Sequence, residues 1–175
     1  ESEGGYANTI MSPMDGSNIN QSRCVYNHAY QENWNNDSYQ YILDNAAGCY
    51  VLIDPFELAG NQTEVTNKIT EIKAKQDTKD VRNEVGCYIS VGTAEDWRDD
   101  FSQLQPFSVT KQWGEWQGEY FIKDIHGALP IMKQRIDYLS QIGCDWVEYD
   151  NMDWMEDSDY GDTYGYIADP ELGYY

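Results

Sequence analysis

Positive charge is scarce in this sequence, and the shortage excludes one large class of partner. The 175 residues hold 11 Lys and Arg against 31 Asp and Glu, which gives a formal net charge of -20. Because binding to a phosphate backbone needs the opposite sign, we expect no nucleic-acid partner. The chain also lacks an apolar run of ~18 residues, the length that a membrane helix requires, so we expect no membrane span. A cationic ligand, metal ions or an extracellular surface would suit this charge better.

Metal-binding patterns are missing as well. His28 and His126 are far apart in the sequence, and no two cysteines form a CxxC pair. We therefore predict no catalytic metal, no structural zinc and no cofactor. The four cysteines allow two disulfides in three connectivities, and they are Cys24, Cys49, Cys87 and Cys144. Matching parity on neighbouring strands would allow Cys49–Cys87 with Cys24–Cys144, and free buried thiols are the alternative.

The composition that is present predicts one folded domain. Hydrophobic residues make up 41% of the chain and charged residues 24%, which is typical of a globular protein. Three N-x-Ser/Thr sequons occur, at Asn20, Asn36 and Asn61, where chance would give about one. Together with the cysteines, they predict a secreted, extracellular glycoprotein with a processed N-terminus. The alternative is a cytosolic fragment with accidental sequons.

Short apolar runs alternate with amphipathic stretches along the chain. The predicted strands are residues 39–43, 49–54, 86–92 and 144–150, and the predicted helices are residues 63–75 and 130–142. This alternation predicts an α/β fold with parallel strands, the first four of a (β/α) TIM-type barrel. Residues 1–37 show no sustained period, so we predict an irregular N-terminal arm before a barrel portion at residues 38–175. Between the third strand and the second helix, residues 93–118 are predicted to form a long aromatic loop.

The strand from Cys144 to Asp150 is the centre of the functional prediction. It ends in Asp150, Asn151 and Asp153, and α/β barrels carry their chemistry at the carboxyl ends of strands. Four strands alone would leave two unpaired edges, and Asp169–Pro170 resembles a helix start with no helix after it. We therefore expect that the sequence is incomplete or that another chain completes the fold.

Six short motifs together resemble a known family. They are Tyr-Gln-Tyr at 39–41, Ile-Asp-Pro-Phe-Glu at 53–57, Cys-Tyr-Ile-Ser-Val-Gly at 87–92, Glu-Asp-Trp-Arg at 95–98, Pro-Ile-Met at 130–132 and Val-Glu-Tyr-Asp-Asn-Met-Asp at 147–153. In this order they resemble glycoside hydrolase family 114, the endo-α-1,4-polygalactosaminidase and spherulin-4-like family. Tyr149 stands where the family commonly has Pro. The family's second catalytic carboxylate lies on a later strand, beyond the last residue here.

The resemblance implies a (β/α)8 barrel that hydrolyses α-1,4-linked galactosamine-type polysaccharide with a pair of carboxylates. It assigns Asp150 as one catalytic carboxylate, acting as nucleophile or base. The candidate substrate-binding residues are Asp54, Tyr88, Ser90, Trp97, Glu148, Asn151 and Asp153. Each has a structural alternative: the carboxylates and Asn151 could bind turn amides, and Trp97 could pack against the barrel.

Two other functions stay open at this point. The chain could be a non-catalytic extracellular structural glycoprotein, an assembly subunit that reuses the barrel and contacts further copies of itself. It could also bind a polysaccharide, in particular a cationic amino-sugar polymer, without turning it over. Fold alone does not decide between these functions.

Overall fold

The computed structural model describes residues 23–29, 36–114 and 116–153, and this part of the chain is α/β. Its elements are β1 (Val25–Asn27), α1 (Asn36–Asn45), β2 (Tyr50–Ile53), α2 (Gln62–Ala74), β3 (Glu84–Ser90), β4 (Thr93–Glu95), α3 (Phe101–Leu104), β5 (Glu119–Phe121), α4 (Ile125–Ile142) and β6 (Trp146–Asp150). Asn20 and the predicted helix start at Asp169–Pro170 lie outside these ranges. Within them, no helix is both long and apolar enough to cross a membrane.

Four strands form a parallel sheet in the order β1-β2-β3-β6, so the predicted α/β fold with parallel strands is confirmed. All four residues of β2 are buried, as expected for a parallel strand that is covered on both faces. In the described residues the sheet is open and does not close into a barrel. The predicted boundary between residues 37 and 38 stays a prediction, since most of the proposed arm lies outside the described part.

The chain divides into two compact units. The first unit contains the described residues up to Tyr88 together with Tyr138–Glu148, and the second contains Ile89–Asp137 with the residues from Tyr149 onward. In the first unit, Ala29, Leu52 and Tyr88 form a buried cluster, and Trp146 packs against it. In the second unit the core consists of Ala94, Leu104, Ile122, Ala128, Ile131 and Met132.

The first strand is not where the sequence predicted it. Residues 39–43 lie in helix α1, and the strand paired with β2 is Val25–Asn27, inside the segment predicted to be irregular. The predicted strand would bury Tyr39 and Tyr41 on one face, but Tyr41 is 53% exposed and Ile42 is fully buried. A hydrogen bond from Gln40 to Asp44, four residues later, also fits a helical surface.

The predicted pairing of the cysteines is wrong, although all four form disulfides. The bridges are Cys24–Cys49 and Cys87–Cys144, with Cα atoms 4.7 and 5.9 Å apart. The register explains the error: Cys87 is opposite Ile53, four residues beyond Cys49. At about 3.3 Å per residue, this offset is too long for a disulfide.

Both predicted helices are confirmed, with different starts. Helix α2 begins after Asn61, whose side chain accepts from the Glu64 N–H while the Glu64 carboxylate accepts from the Asn61 N–H. This capping box fixes the start at Gln62, one residue before the predicted Thr63. Helix α4 begins at Ile125 rather than Pro130, because Asp124 accepts from the backbone N–H groups of Gly127 and Ala128.

The predicted long loop of residues 93–118 is largely ordered into short elements. Strand β4 pairs with β5 in an antiparallel two-stranded sheet, in which Ala94 is opposite Tyr120 and Glu95 is opposite Glu119. Helix α3 and a 3-10 turn at Gln105–Phe107 lie between these strands. The segment therefore contributes a short strand and a short helix, and its Ala94 and Leu104 pack into the apolar core of the second unit.

Candidate functional site

Asp150 is the last residue of β6, at the carboxyl end of a strand in the parallel sheet. Its carbonyl oxygen accepts hydrogen bonds from the backbone N–H groups of Val91 (3.1 Å) and Gly92 (3.4 Å). Its carboxylate Oδ1 accepts from the backbone N–H of Asn151 at 2.9 Å. Main-chain bonds therefore hold the residue, and one carboxylate oxygen has a fixed donor.

The turn after Asp150 depends on close backbone packing. Asn151 has a φ of +61°, in the left-handed region, which Asn adopts more readily than most residues. Gly92 lies against it so closely that a Cβ added there would be 1.5 Å from the Asn151 carbonyl oxygen. A side chain at position 92 would displace the turn.

The side chain of Asn151 joins a buried polar cluster. Its Nδ2 donates to Ser90 Oγ and to Glu119 Oε1, both at 3.0 Å. Ser90 Oγ also contacts Thr93 Oγ1, which donates to Glu119 Oε1. We call Ser90, Thr93, Glu119 and Asn151 the amide–carboxylate cluster. Ser90, Thr93 and Glu119 come from β3, β4 and β5, and together they fix Asn151, the residue that follows Asp150.

Glu119 is the carboxyl group of this cluster. Its pKa is raised from an ordinary 4.5 to about 7: burial is the largest cause, and the negative charges of Glu95 and Asp150 add to the rise. The hydrogen bond from Thr93 and the charge of Arg98 act in the opposite direction. A carboxyl group with this pKa changes its charge near neutral pH, which makes it a candidate for a functional site.

Two arginines neutralise the other acidic groups near β4. Arg98 binds Glu95 through both Nε (2.9 Å) and Nη2 (3.0 Å). Arg135 binds Asp100 through Nε and Nη2, both at 2.7 Å, and donates to the Ser90 carbonyl at 3.2 Å. Such two-pronged pairs are strong and directional. They leave Glu119 as the carboxyl group whose nearest partners are neutral hydroxyl and amide groups.

Of the predicted site residues, the structure brings Ser90, Asp150 and Asn151 together in the second unit. Trp97 is 48% exposed, and Asp153 is exposed. Asp54, Tyr88 and Glu148 are buried in the first unit. Asp54 Oδ1 accepts from the Phe56 N–H at 3.0 Å, which is the turn-binding alternative, while Tyr88 belongs to the apolar cluster. Their roles as substrate contacts stay predictions.

The sequons stay predictions as well. Asn61 is exposed, and its side-chain oxygen is engaged in the cap of α2. Asn36 is the first residue of α1.

Thr93 and Glu119 are the site residues that the sequence did not indicate. Glu119 comes 31 positions before Asp150, on a strand of three residues at the end of a segment predicted to be a loop. In the sequence, the only indication of this strand is the short apolar run Tyr120-Phe121-Ile122, which begins two residues after Gly118. In the described ranges, no three His, Cys, Asp or Glu side chains converge as metal ligands. The groups that Asp150 and Glu119 offer for chemistry are carboxyl groups.

Comparison with known proteins places the chain. A model of glycoside-hydrolase family GH114 matches residues 22–167. Among solved structures, the chain is similar to Aspergillus fumigatus Ega3, whose crystal structure is a complex with galactosamine. The TM-score is 0.54 at 22% identity, and the match covers 77% of this chain and 46% of the Ega3 chain. The likeness concerns the fold, and the chain spans less than half of Ega3. No curated protein matches. On the family match, which covers most of its length, this chain belongs to glycoside-hydrolase family GH114.

Proposed function

We propose that this chain is the first part of a (β/α)8 barrel that hydrolyses α-1,4-linked galactosamine-type polysaccharide, with Asp150 as one of its two catalytic carboxylates. The observation that carries the proposal is the Asp150 carboxylate itself. It lies at the carboxyl end of a parallel strand and is oriented by the Asn151 N–H at 2.9 Å. Strand ends of this kind carry the reacting groups in barrel enzymes.

The chemistry follows from two carboxyl groups on opposite sides of a glycosidic bond. One acts as nucleophile or base, and the other protonates the leaving oxygen. Asp150 suits the first role, because the Asn151 N–H orients its carboxylate through Oδ1. The acid would come from a later strand of the complete barrel. The separation of the two groups would decide between retention and inversion at the anomeric carbon.

The substrate class is supported by charge and by exposed aromatic rings. The net charge of -20 would attract a polymer whose amino groups are protonated. The similar protein Ega3 was crystallised in complex with galactosamine. Trp97 and Trp116 are 48% and 47% exposed, and an exposed indole offers a flat apolar face to a sugar ring. We assign substrate contacts to the exposed side chains of Trp97 and Asp153 in the second unit. The substrate contacts predicted for Asp54, Tyr88, Ser90, Glu148 and Asn151 stay predictions.

Secretion fits the same proposal. Two disulfides are typical of extracellular proteins and rare in the cytosol. Of the sequons, Asn61 is exposed at a helix start. Its capping bond uses the side-chain oxygen, so the nitrogen can carry a glycan without loss of the cap. We propose a secreted, N-glycosylated protein.

The test is a cleavage assay on three matched hexamers. The complete protein, with the later strands of the barrel present, is incubated with α-1,4-linked galactosamine hexamer, its fully N-acetylated form, and β-1,4-linked glucosamine hexamer, and the products are measured by mass spectrometry. We expect shorter oligomers from the first substrate alone. Equal cleavage of all three would contradict the assigned substrate, and no cleavage of any would contradict hydrolysis. If no cleavage is accompanied by concentration-dependent polymers in sedimentation, the assembly-subunit function replaces the enzyme.

A further inference from the structure

We propose that Glu119 is a positioning residue for this reaction, because it holds Asn151, whose backbone N–H orients the Asp150 carboxylate. This inference rests on the proposed function of Asp150. Glu119 is not at a strand end of the parallel sheet. It acts from β5, through the amide–carboxylate cluster, on the turn that follows β6.

When Glu119 is ionised, counting hydrogens fixes the direction of the short bonds in the cluster. Thr93 has one hydroxyl hydrogen, and it goes to Glu119 Oε1. The Ser90 hydroxyl must therefore donate to Thr93 Oγ1. The two amide hydrogens of Asn151 then go to Ser90 Oγ and Glu119 Oε1. The four groups form a closed ring in which the Glu119 oxygen accepts twice and every donor is used.

The hydrogen-bonded ring includes Asn151, the residue that forms the turn after β6. The side chain of Asn151 is held at two points, and its backbone N–H is the donor to Asp150 Oδ1. If Glu119 Oε1 were lost, the Asn151 amide would keep the Ser90 hydroxyl at 3.0 Å and the Thr93 hydroxyl at the longer distance of 3.5 Å as acceptors. The backbone N–H would then be free to rotate away from the Asp150 carboxylate.

The charge of Glu119 adds a second effect. The groups that face it are Glu95, Asp150 and Arg98, with Thr93 and Asn151 as hydrogen-bond donors. Since burial raises the pKa of Glu119 to about 7, it is neutral in mild acid and ionised in mild alkali. The ionised form accepts hydrogen bonds more strongly and makes the nearby Asp150 carboxylate a better base. We therefore expect the rate to rise as pH increases through about 7.

Two substitutions separate the bond from the charge. Glu119→Gln keeps a carbonyl oxygen for both donors but cannot ionise, whereas Glu119→Ala removes the acceptor. For Glu119→Gln we expect kcat within about 3-fold of the parent below pH 6 and no rise near pH 7. For Glu119→Ala we expect kcat to fall about 100-fold with KM little changed, the size of effect that misplacing a reacting group produces. Asp137→Asn, an exposed acid on α4, is the control and should match the parent.

A purely structural role for Glu119 would give a different result. If Glu119→Gln retains the rise near pH 7, or if Glu119→Ala has the parent kcat, the inference is wrong. Thermal melting of each variant reports whether it is folded. If Glu119→Ala is not folded, Glu119→Gln decides the question.

A second readout does not need activity. In a ¹³C-carboxyl NMR titration of the parent, we expect the Asp150 signal to show an inflection near pH 7, where Glu119 ionises, and Glu119→Gln to lack it. Absence of this inflection in the parent overturns the coupling. If the coupling is present but no hexamer is cleaved, the proposed hydrolysis fails while the link between Glu119 and Asp150 holds.

Discussion

Two carboxyl groups, one in each unit, show how differently the units use acidic side chains. Asp77, in the first unit, accepts from the backbone N–H groups of Val81 (2.9 Å) and Lys79 (2.8 Å), and these bonds lower its pKa. Glu119, in the second unit, is buried among side-chain donors, and burial raises its pKa to about 7. The same functional group therefore serves as a turn anchor in one place and as a titratable group in the other.

The contrast extends to other polar residues of the first unit. Asn83 donates to the carbonyls of Ala46 and Ile72 and accepts from the Cys49 N–H. Arg23 donates to the carbonyls of Gly48, Cys49 and Arg82. These bonds between side chains and main-chain groups stabilise the fold. In the second unit, the amide–carboxylate cluster binds side chain to side chain, and this leaves a group that can change its charge.

The largest effect on stability should come from the disulfides, which both lie in the first unit. Cys87–Cys144 spans 57 residues and Cys24–Cys49 spans 25. Replacing each pair with Ser should lower the free energy of unfolding by about 4 and about 3.5 kcal/mol, because the longer loop restricts the unfolded chain more. Urea unfolding of the two double variants measures this. The pKa of Glu119 in the folded state should be the same in both double variants as in the parent. If this pKa changed, the contrast drawn between the two units would be wrong.

The next largest effect should come from Gly92, in the second unit. In Gly92→Ala the new Cβ would be 1.5 Å from the carbonyl oxygen of Asn151, a main-chain atom that cannot move cheaply. We expect a loss of about 2–3 kcal/mol in stability together with a loss of hexamer cleavage. Gly114→Ala is the matched control, because an added Cβ there has no atom within 4 Å. Equal melting temperatures for the two variants would show that the turn after β6 is not held as described.

A smaller effect should appear in the dependence of stability on pH. The folded chain holds a proton on Glu119 up to about pH 7, whereas the unfolded chain loses it near 4.5. Stability from this group is therefore complete below 4.5 and is lost as pH rises through about 7. Between pH 5 and pH 7.5 the parent should lose about 2–3 kcal/mol more than Glu119→Gln, as measured by urea midpoints. Parallel pH curves for the two proteins would refute the raised pKa.

The sequence predicts the fold best where a long pattern constrains it. The continuous apolar runs of β2 and β3 and the spacing of Val65, Ile69 and Ile72 in α2 lead directly to buried elements. Short patterns fail. Residues 39–43 show a strand-like alternation of side chains over only five positions, and they form a helix that buries Ile42 in the core. Strand parity does not give the register, so it did not identify the disulfide partners.

The residues of the candidate site also divide into those that the sequence indicates and those that it does not. Asp150, Asn151 and Ser90 lie in motifs that the sequence displays, so their importance could be inferred. Glu119 lies in a strand of three residues, and its raised pKa depends on burial and on neighbouring charges from other elements. No local pattern encodes those contacts, because they exist only once β4 and β5 have paired.

Two aspartates from one stretch of sequence provide the most direct test. Asp145 is bound by the Val85 N–H (2.9 Å) and by Lys73 (2.6 Å), so it has the anchoring role of the first unit. Asp150 has the reacting role. Measured on galactosamine hexamer at equal folded concentration, Asp150→Asn should be slower than the parent by about 1,000-fold or more, with an unchanged melting temperature. Asp145→Asn should melt earlier and retain its rate within about 2-fold. An active Asp150→Asn, or equal rate losses in both variants, would contradict the account.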